Sequence, residues 1–254
     1  MRVISIANFK GGTGKTTTAC NLAALLARDG ARVLLIDADA QHNATDFFCE
    51  DWDGLTLTNV LEGTGEPYWY DNVAPSGYER LDLICADMGL LRLDLASILN
   101  GHNAAQRRMD DLLDVIRQDE AYDWILVDCP PSFTAASVAC LVNSDEVLLP
   151  TRIDRFSRRG AIELISQVRS TGRAMVGTRF RVLPTMTDGR SNLSRQAVEL
   201  LRKQPGLEIT RTVIRAGVAV GESSYARQPL YQYAPKTAVA KDYEDLAREV
   251  RENG

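Results

Sequence analysis

The segment Lys10-Gly11-Gly12-Thr13-Gly14-Lys15-Thr16-Thr17 concentrates the residue types needed to hold a polyphosphate. Glycines let consecutive backbone N–H groups turn toward one anion, and the N-terminus of a following helix adds a favourable dipole. In the Gly-Lys-[Ser/Thr] ending of such a loop, a lysine reaches the β- and γ-phosphates and a hydroxyl ligates magnesium. Lys15 and Thr16 occupy those places, and Gly11, Gly12, Thr13, Gly14 and Thr17 complete the nucleotide-binding set. An ordinary Gly-rich turn is the plainer alternative, but it does not require that ending between a strand and a helix. Two further acidic positions follow apolar runs. Val33–Asp37 leads into Asp37-Ala38-Asp39, and Trp124–Asp128 leads into Asp128-Cys129-Pro130-Pro131. An aspartate at the end of an apolar strand suits a magnesium partner in phosphoryl transfer, although taken singly it also suits a turn or a helix cap.

Elements to position these residues are legible on either side. Arg2–Asn8 reads as a buried strand, and Leu22, Leu25 and Leu26 give helical spacing over Thr17–Arg28, ended by Gly30. The pattern then alternates: strands Val33–Asp37, Leu81–Cys85, Trp124–Asp128, Glu146–Pro150, Phe180–Met186 and Ile209–Val213. Helices are expected near Asn103–Gln118, Phe133–Val142, Arg159–Thr171, Leu193–Lys203 and Val239–Arg251. Near-continuous apolar strands are those of parallel sheets covered on both faces. The expected fold is therefore α/β, a doubly wound, mostly parallel sheet with helices on both faces, as one domain over 1–254. Residues 46–80, acidic and aromatic with weak periodicity, read as an excursion from that core.

The deviation from the ordinary loop pattern is informative. Phe9 stands where the first glycine would be, and Lys10 opens the loop. This K-G-G-x-G-K-T-T arrangement resembles the deviant Walker A loop of the ParA/MinD superfamily of P-loop ATPases, and the later segments resemble its ParA members. The resemblance implies ATP and Mg²⁺ as cofactors. It makes Lys10 a catalytic lysine that crosses a dimer interface to the partner's nucleotide, beside the catalytic Lys15. It makes Asp37-Ala38-Asp39-Ala40-Gln41-His42-Asn43 a switch I, with Asp39 positioning the attacking water and Asp37 on the magnesium side with Thr16 and Asp128. It makes Asp128, Pro130 and Pro131 a switch II. Ala40 replaces the usual proline and His42 the usual glycine, which puts the loop's shape in question. Thr187–Leu193, Ile214–Ser223, Arg227–Leu230 and Lys241–Glu249 resemble further ParA segments, and Arg190 and Arg215 match positions implicated in DNA contact, with Arg195 and Arg211 near them.

Charge is distributed unevenly. Residues 1–150 carry 10 Lys/Arg against 23 Asp/Glu, and residues 151–254 carry 19 against 11. Within 151–215 the balance is 14 to 5, and Arg152, Arg155, Arg158 and Arg159 form a dense local cluster. Such a face can neutralise nucleic-acid phosphates without reading bases; scattered solvated helix faces are the alternative. Five cysteines without a C-x-x-C pair suggest neither a disulfide framework nor a zinc site and fit a reducing cytoplasm. No charged n-region precedes an apolar h-region, and no apolar run approaches the roughly 18 residues of a membrane span. The mixed tail Asp242–Gly254 lacks the basic amphipathic character of membrane-binding relatives. Cys129 reads as a small buried hydrophobe rather than a cluster ligand. The expected protein is a cytoplasmic, nucleoid-associated partition ATPase. It forms a homodimer with ATP, binds non-specific DNA and is stimulated by a ParB-like protein. An ATP-dependent switch positioning a protein cargo without DNA is the competing expectation.

Overall fold

The computed structural model describes residues 1–65, 68–94, 104–153, 162–163, 165–166 and 177–252. Its strands are β1 (Arg2–Ile6), β2 (Val33–Asp37), β3 (Ala74–Pro75), β4 (Leu81–Ile84), β5 (Trp124–Asp128), β6 (Glu146–Arg152), β7 (Arg179–Thr185) and β8 (Glu208–Ile209). They form one eight-stranded sheet in the order β3-β4-β2-β5-β1-β6-β7-β8. Every pairing is parallel except that of β3 with β4.

Alternation along each central strand sends side chains to two separate cores. From β1, β2 and β5, Val3, Leu34, Ile36, Ile125 and Val127 face one core. Ile4, Ile6, Val33, Leu35 and Leu126 face the other. The first core is covered by α3 (Leu57–Glu62), α4 (Ala104–Gln118) and α5 (Ala135–Val142). The second is covered by α1 (Lys15–Arg28) and by α9 (Ala238–Glu252), which closes the chain. The doubly wound arrangement expected from the apolar strands is thus the one observed. Leu22, Leu25 and Leu26 of α1 are buried to 1% exposure or less. Each contributes about 1.5–3 kcal/mol by leaving water.

A buried ion network ties α9 to the sheet. Arg181 of β7, 1% exposed, donates from Nε to Glu146 of β6 at 2.6 Å and from Nη1 to Glu249 of α9 at 3.2 Å. Glu249 also accepts the backbone N–H groups of Arg211 (2.9 Å) and Thr212 (2.8 Å). Those backbone donors are therefore spent on a side chain. That explains why the strand expected at Ile209–Val213 is only the two-residue β8.

Residues 46–80 correct the expectation of an excursion. The short α2 (Asn43–Phe48) and α3 precede β3, which joins the sheet edge, and Leu57 and Leu61 are fully buried in the first core. Their periodicity is too short to read, because each helix is six residues long. Toward the C-terminus, α6 (Asn192–Arg202) agrees with expectation. Helices α7 (Val218–Tyr225) and α8 (Leu230–Tyr233) are additions that the sequence pattern does not reveal. Val218 and Tyr225, at the ends of α7, lie 80% and 94% exposed, so α7 carries no apolar stripe for a pattern to show. Arg155, Arg158, Arg159 and most of the helix expected at Arg159–Thr171 fall outside the described residues.

Candidate nucleotide site

The carboxyl ends of β1, β2 and β5 lie side by side, with Ile6 opposite Asp128 and Asp37 opposite Asp128 in the two registers. In open α/β sheets this end is where ligands bind. The Lys10–Thr17 loop leaves β1 there and opens α1. Gly12 (φ 68°) and Gly14 (φ 91°) both adopt the left-handed region, which is why glycine is required at these two positions. Gly14 sits at the N-cap of α1 with no side-chain cap, and the first turn carries no acidic residue. The first N–H groups of this 14-residue helix are thus available to an anion.

Lys15 is buried, 7% exposed. Burial pulls its pKa below the usual lysine value, while Asp128, Asp39 and Cys129 push it back up. Asp128, at 1% exposure, is pushed well above the usual carboxylate range by burial and then by Asp37, against the opposing pull of the Thr16 hydroxyl and Lys15. Both Asp128 carboxylate oxygens are buried without a hydrogen-bond partner. Asp37, fully buried, is raised to about 6 chiefly by burial, and hydrogen bonds from Thr45 and Asp39 work against that. Asp39 is part-buried, and its Oδ1 accepts the Gln41 N–H at 3.0 Å.

The structure therefore gathers Lys15, Thr16, Asp37, Asp39 and Asp128 at one place, with Thr13, Gly14 and Thr17 around them. Lys10, Gly11 and Gly12 lie on the exposed outer rim, Pro130 is buried and Pro131 exposed. The orphaned, buried Asp128 oxygens beside a threonine hydroxyl fit a hard divalent cation. Magnesium is usually held by one or two carboxylates plus substrate phosphates rather than by a full protein cage. Among the described residues there is no cluster of three or more His, Cys, Asp or Glu that could hold a metal ion.

His42 shows how a side chain is accommodated in this loop. It occupies the left-handed region (φ 44°) that a glycine would take, at the N-cap of α2, with Nδ1 3.1 Å from Asp46 Oδ1. Cys129 is fully buried and its thiol is pushed well up by burial, in line with a small hydrophobe.

Several supporting residues carry no sequence signal of their own. Asn8 donates from Nδ2 to the Pro150 carbonyl (2.7 Å) and accepts the Lys10 N–H on Oδ1 (3.0 Å). Thr185, at the end of β7, donates to the Thr13 carbonyl at 2.9 Å. Met186 follows with φ 52°, its Cε 4.0 Å from where a Cβ on Gly14 would stand. Only Asn8 could have been suspected, from its place just before the loop.

Arg190, Arg195 and Arg215 lie elsewhere. Arg195 and Arg215 line a groove of about 490 Å³ with Arg202, Asp188 and Glu199. Arg215 donates from Nε to Asp242 of α9 at 2.9 Å, and its own N–H also reaches Asp242 at 3.0 Å. Arg195 donates to the Gly189 carbonyl at 3.3 Å, and Arg202 pairs with Glu199 at 3.1 Å. Arg190 is exposed beside this groove.

A buried lysine in a glycine loop, a switch strand and an acidic strand end on a doubly wound sheet define the P-loop nucleotide-binding fold, here with the lysine-led loop. Known proteins narrow this. A family model described as an AAA domain matches residues 1–182. Sporulation initiation inhibitor protein Soj of Bacillus subtilis is 33% identical over 264 residues, covering 100% of this chain and 99% of that protein. The chromosome partitioning protein ParA of Caulobacter vibrioides is 35% identical over 261 residues, covering 98% and 94%. A McdA variant of Cyanothece, solved as an ATP complex, superposes with a TM-score of 0.80 at 26% identity over 99% of this chain and 96% of that one. The chain belongs to the ParA family of partition ATPases.

Proposed function

We propose that this protein is a magnesium-dependent ATPase that partitions DNA as an ATP-bound dimer. The observation that carries the nucleotide part is Asp128. Its two oxygens are buried and unpartnered beside Lys15 and Thr16, at the mouth of the glycine loop. A magnesium ion, when bound, would supply charge neutralisation for the phosphates. Thr16 and Asp128 would hold it, with Asp37 behind. Lys15 and the loop N–H groups orient the β- and γ-phosphates, and Asp39 positions the attacking water. Phosphoryl transfer needs little else than such positioning and charge. The ATP complex of the Cyanothece relative supports ATP as the nucleotide. Lys10, on the exposed rim, reaches across a two-fold interface to the partner's phosphates.

The name of the Caulobacter relative, a chromosome partitioning protein, supports a partition role; the site of action proposed is the cytoplasm, on the nucleoid. The dimer binds DNA without sequence preference, and a ParB-like protein triggers hydrolysis and release. No helix among the described residues is long and apolar enough to cross a membrane. The test is co-sedimentation of the protein with non-specific DNA, with and without ATP and Mg²⁺, at several salt concentrations. ATP-dependent binding that collapses with salt is expected.

One observation favours a second reading, an ATP switch that positions a protein cargo. Arg215 and Arg202 are already paired with acidic side chains, which lowers the positive charge this surface offers to DNA. Absence of DNA binding by the ATP-bound protein would select it.

A further inference from the structure

Switch I begins at Asp37 and runs into α2, and its base is closed by a compact set of hydrogen bonds. Asp37 Oδ1 accepts the Asp39 N–H at 3.1 Å. Asp37 Oδ2 accepts two bonds from one residue, the Thr45 N–H and the Thr45 hydroxyl, both at 2.9 Å. The same hydroxyl accepts the N–H of Ala86, just beyond β4, at 2.9 Å. The Ala38 N–H donates to the Asp128 carbonyl at 2.9 Å, joining this base to switch II. Thr45 is itself buried, 4% exposed.

A carboxylate offers about four lone-pair sites. Three on Asp37 are spent on the protein, two of them on Thr45. Asp37 is thus held rigidly and can point little more than one lone pair at anything else. Asp128, across the register, has no hydrogen-bond partner on either oxygen, with the Thr16 hydroxyl and Lys15 close by. The two aspartates divide the work: Asp128 faces the cation, and Asp37 anchors the loop that carries Asp39. Thr45 is the group that fixes Asp37, and it is in turn fixed by Ala86 in a neighbouring strand's exit. One hydroxyl thus joins the Asp37 carboxylate to the backbone just beyond β4.

We infer that Thr45 is a positioning residue for metal-bound nucleotide. It locks Asp37, and through it the Asp39 backbone, in the arrangement that accepts the cation. This rests on the magnesium-nucleotide reading above. A merely structural role is the alternative, since the Thr45 N–H is one of the otherwise unpaired donors at the start of α2. The two roles separate in measurement. Groups that orient a metal site from behind typically change metal affinity by about 10–100-fold when removed, and a helix-end contact alone does not.

The experiment uses the full chain with a non-hydrolysable ATP analogue and Mn²⁺ in place of Mg²⁺. Mn²⁺ affinity is read by electron paramagnetic resonance, nucleotide affinity is read separately in EDTA, and thermal melting serves as the fold control. Thr45→Val should weaken Mn²⁺ by about 10–100-fold and leave metal-free nucleotide affinity unchanged. Thr45→Ser, which keeps both the N–H and the hydroxyl, should restore the parent's Mn²⁺ affinity. Thr45→Ala carries the same expectation as the valine variant if valine prevents folding. Parent-like Mn²⁺ affinity in a folded valine or alanine variant overturns the role of Thr45 alone. No Mn²⁺-dependent nucleotide binding in the parent protein removes the nucleotide reading, and this inference with it.

Discussion

The nucleotide site and the arginine surface treat their charged groups in opposite ways. Around the glycine loop, Lys15, Asp37 and Asp128 are buried together, and two Asp128 oxygens are left without partners. On the surface near α6, Arg215 is half-buried and tied to Asp242, Arg202 to Glu199 and Arg211 to Glu252. Burying a charge without a partner costs several kcal/mol, so an orphaned buried carboxylate points to a missing counter-charge. A solvent-facing ion pair contributes about 0–1 kcal/mol and is easily exchanged for another anion. The first arrangement specifies a ligand, and the second only permits one.

The sharpest way to break this contrast is Lys15→Ala. It removes the cation beside Asp128 and the charge at the phosphates. ATP hydrolysis should fall by about 10²–10³-fold or more, with weakened nucleotide binding. Unchanged steady-state kinetics and nucleotide titration would remove the site assignment. Asp39→Ala should lower hydrolysis by about 10²-fold or more yet keep nucleotide binding, so light scattering should find an ATP dimer that persists. Lys10→Ala should bind nucleotide as the parent does and fail to form that dimer. A normal dimer would place Lys10 outside the interface.

The arginine surface is expected to respond in smaller steps. Arg190→Ala with Arg195→Ala should weaken DNA binding and flatten the slope of log affinity against log salt by about 0.9 for each phosphate no longer neutralised. ATP-driven dimerisation should be intact. Arg215→Ala should act mainly on stability, because it takes the guanidinium from the buried Asp242 and leaves only the backbone N–H of residue 215 bonded to it. Because Asp242, unlike the carboxylates of the solvent-facing pairs, is buried, a loss of about 1–3 kcal/mol in denaturant unfolding is expected. If Arg215→Ala flattens the salt slope as much as the other pair and leaves stability unchanged, its ion pair with Asp242 opens on DNA, and pairing does not withhold an arginine from a ligand. The smallest effect is expected from His42→Gly. Relief of the left-handed conformation is offset by a freer unfolded chain and by removal of the imidazole from Asp46, leaving unfolding within about 1 kcal/mol of the parent.

What could be read beforehand follows the range of the interactions. Loop, strand ends and aspartates are local patterns, in which strand, turn and functional residue are adjacent in the chain. The doubly wound sheet was equally legible, because strands buried on both faces announce themselves. Thr185 bonding Thr13 joins residues 172 positions apart, and Thr45 bonding Ala86 joins residues 41 apart. No spacing rule anticipates either. Arg215 illustrates the same limit for charge. Counting arginines in 151–215 revealed the excess but not that Asp242, 27 residues onward, lies against one of them. The backbone at Arg211 and Thr212 bends to Glu249 for the same reason, and the last expected strand shrank to β8.

The two margins of the sheet have a consequence for how this molecule assembles. Each ends in a strand of two residues, β3 on one side and β8 on the other, and β3 contains Pro75, which has no amide hydrogen to offer. Long open strands invite edge-to-edge addition of other chains, which is how sheets grow into aggregates. Here both borders present too little unpaired backbone to seed such growth. If the protein pairs through its nucleotide-bearing face as proposed, that association does not compete with accretion along the sheet.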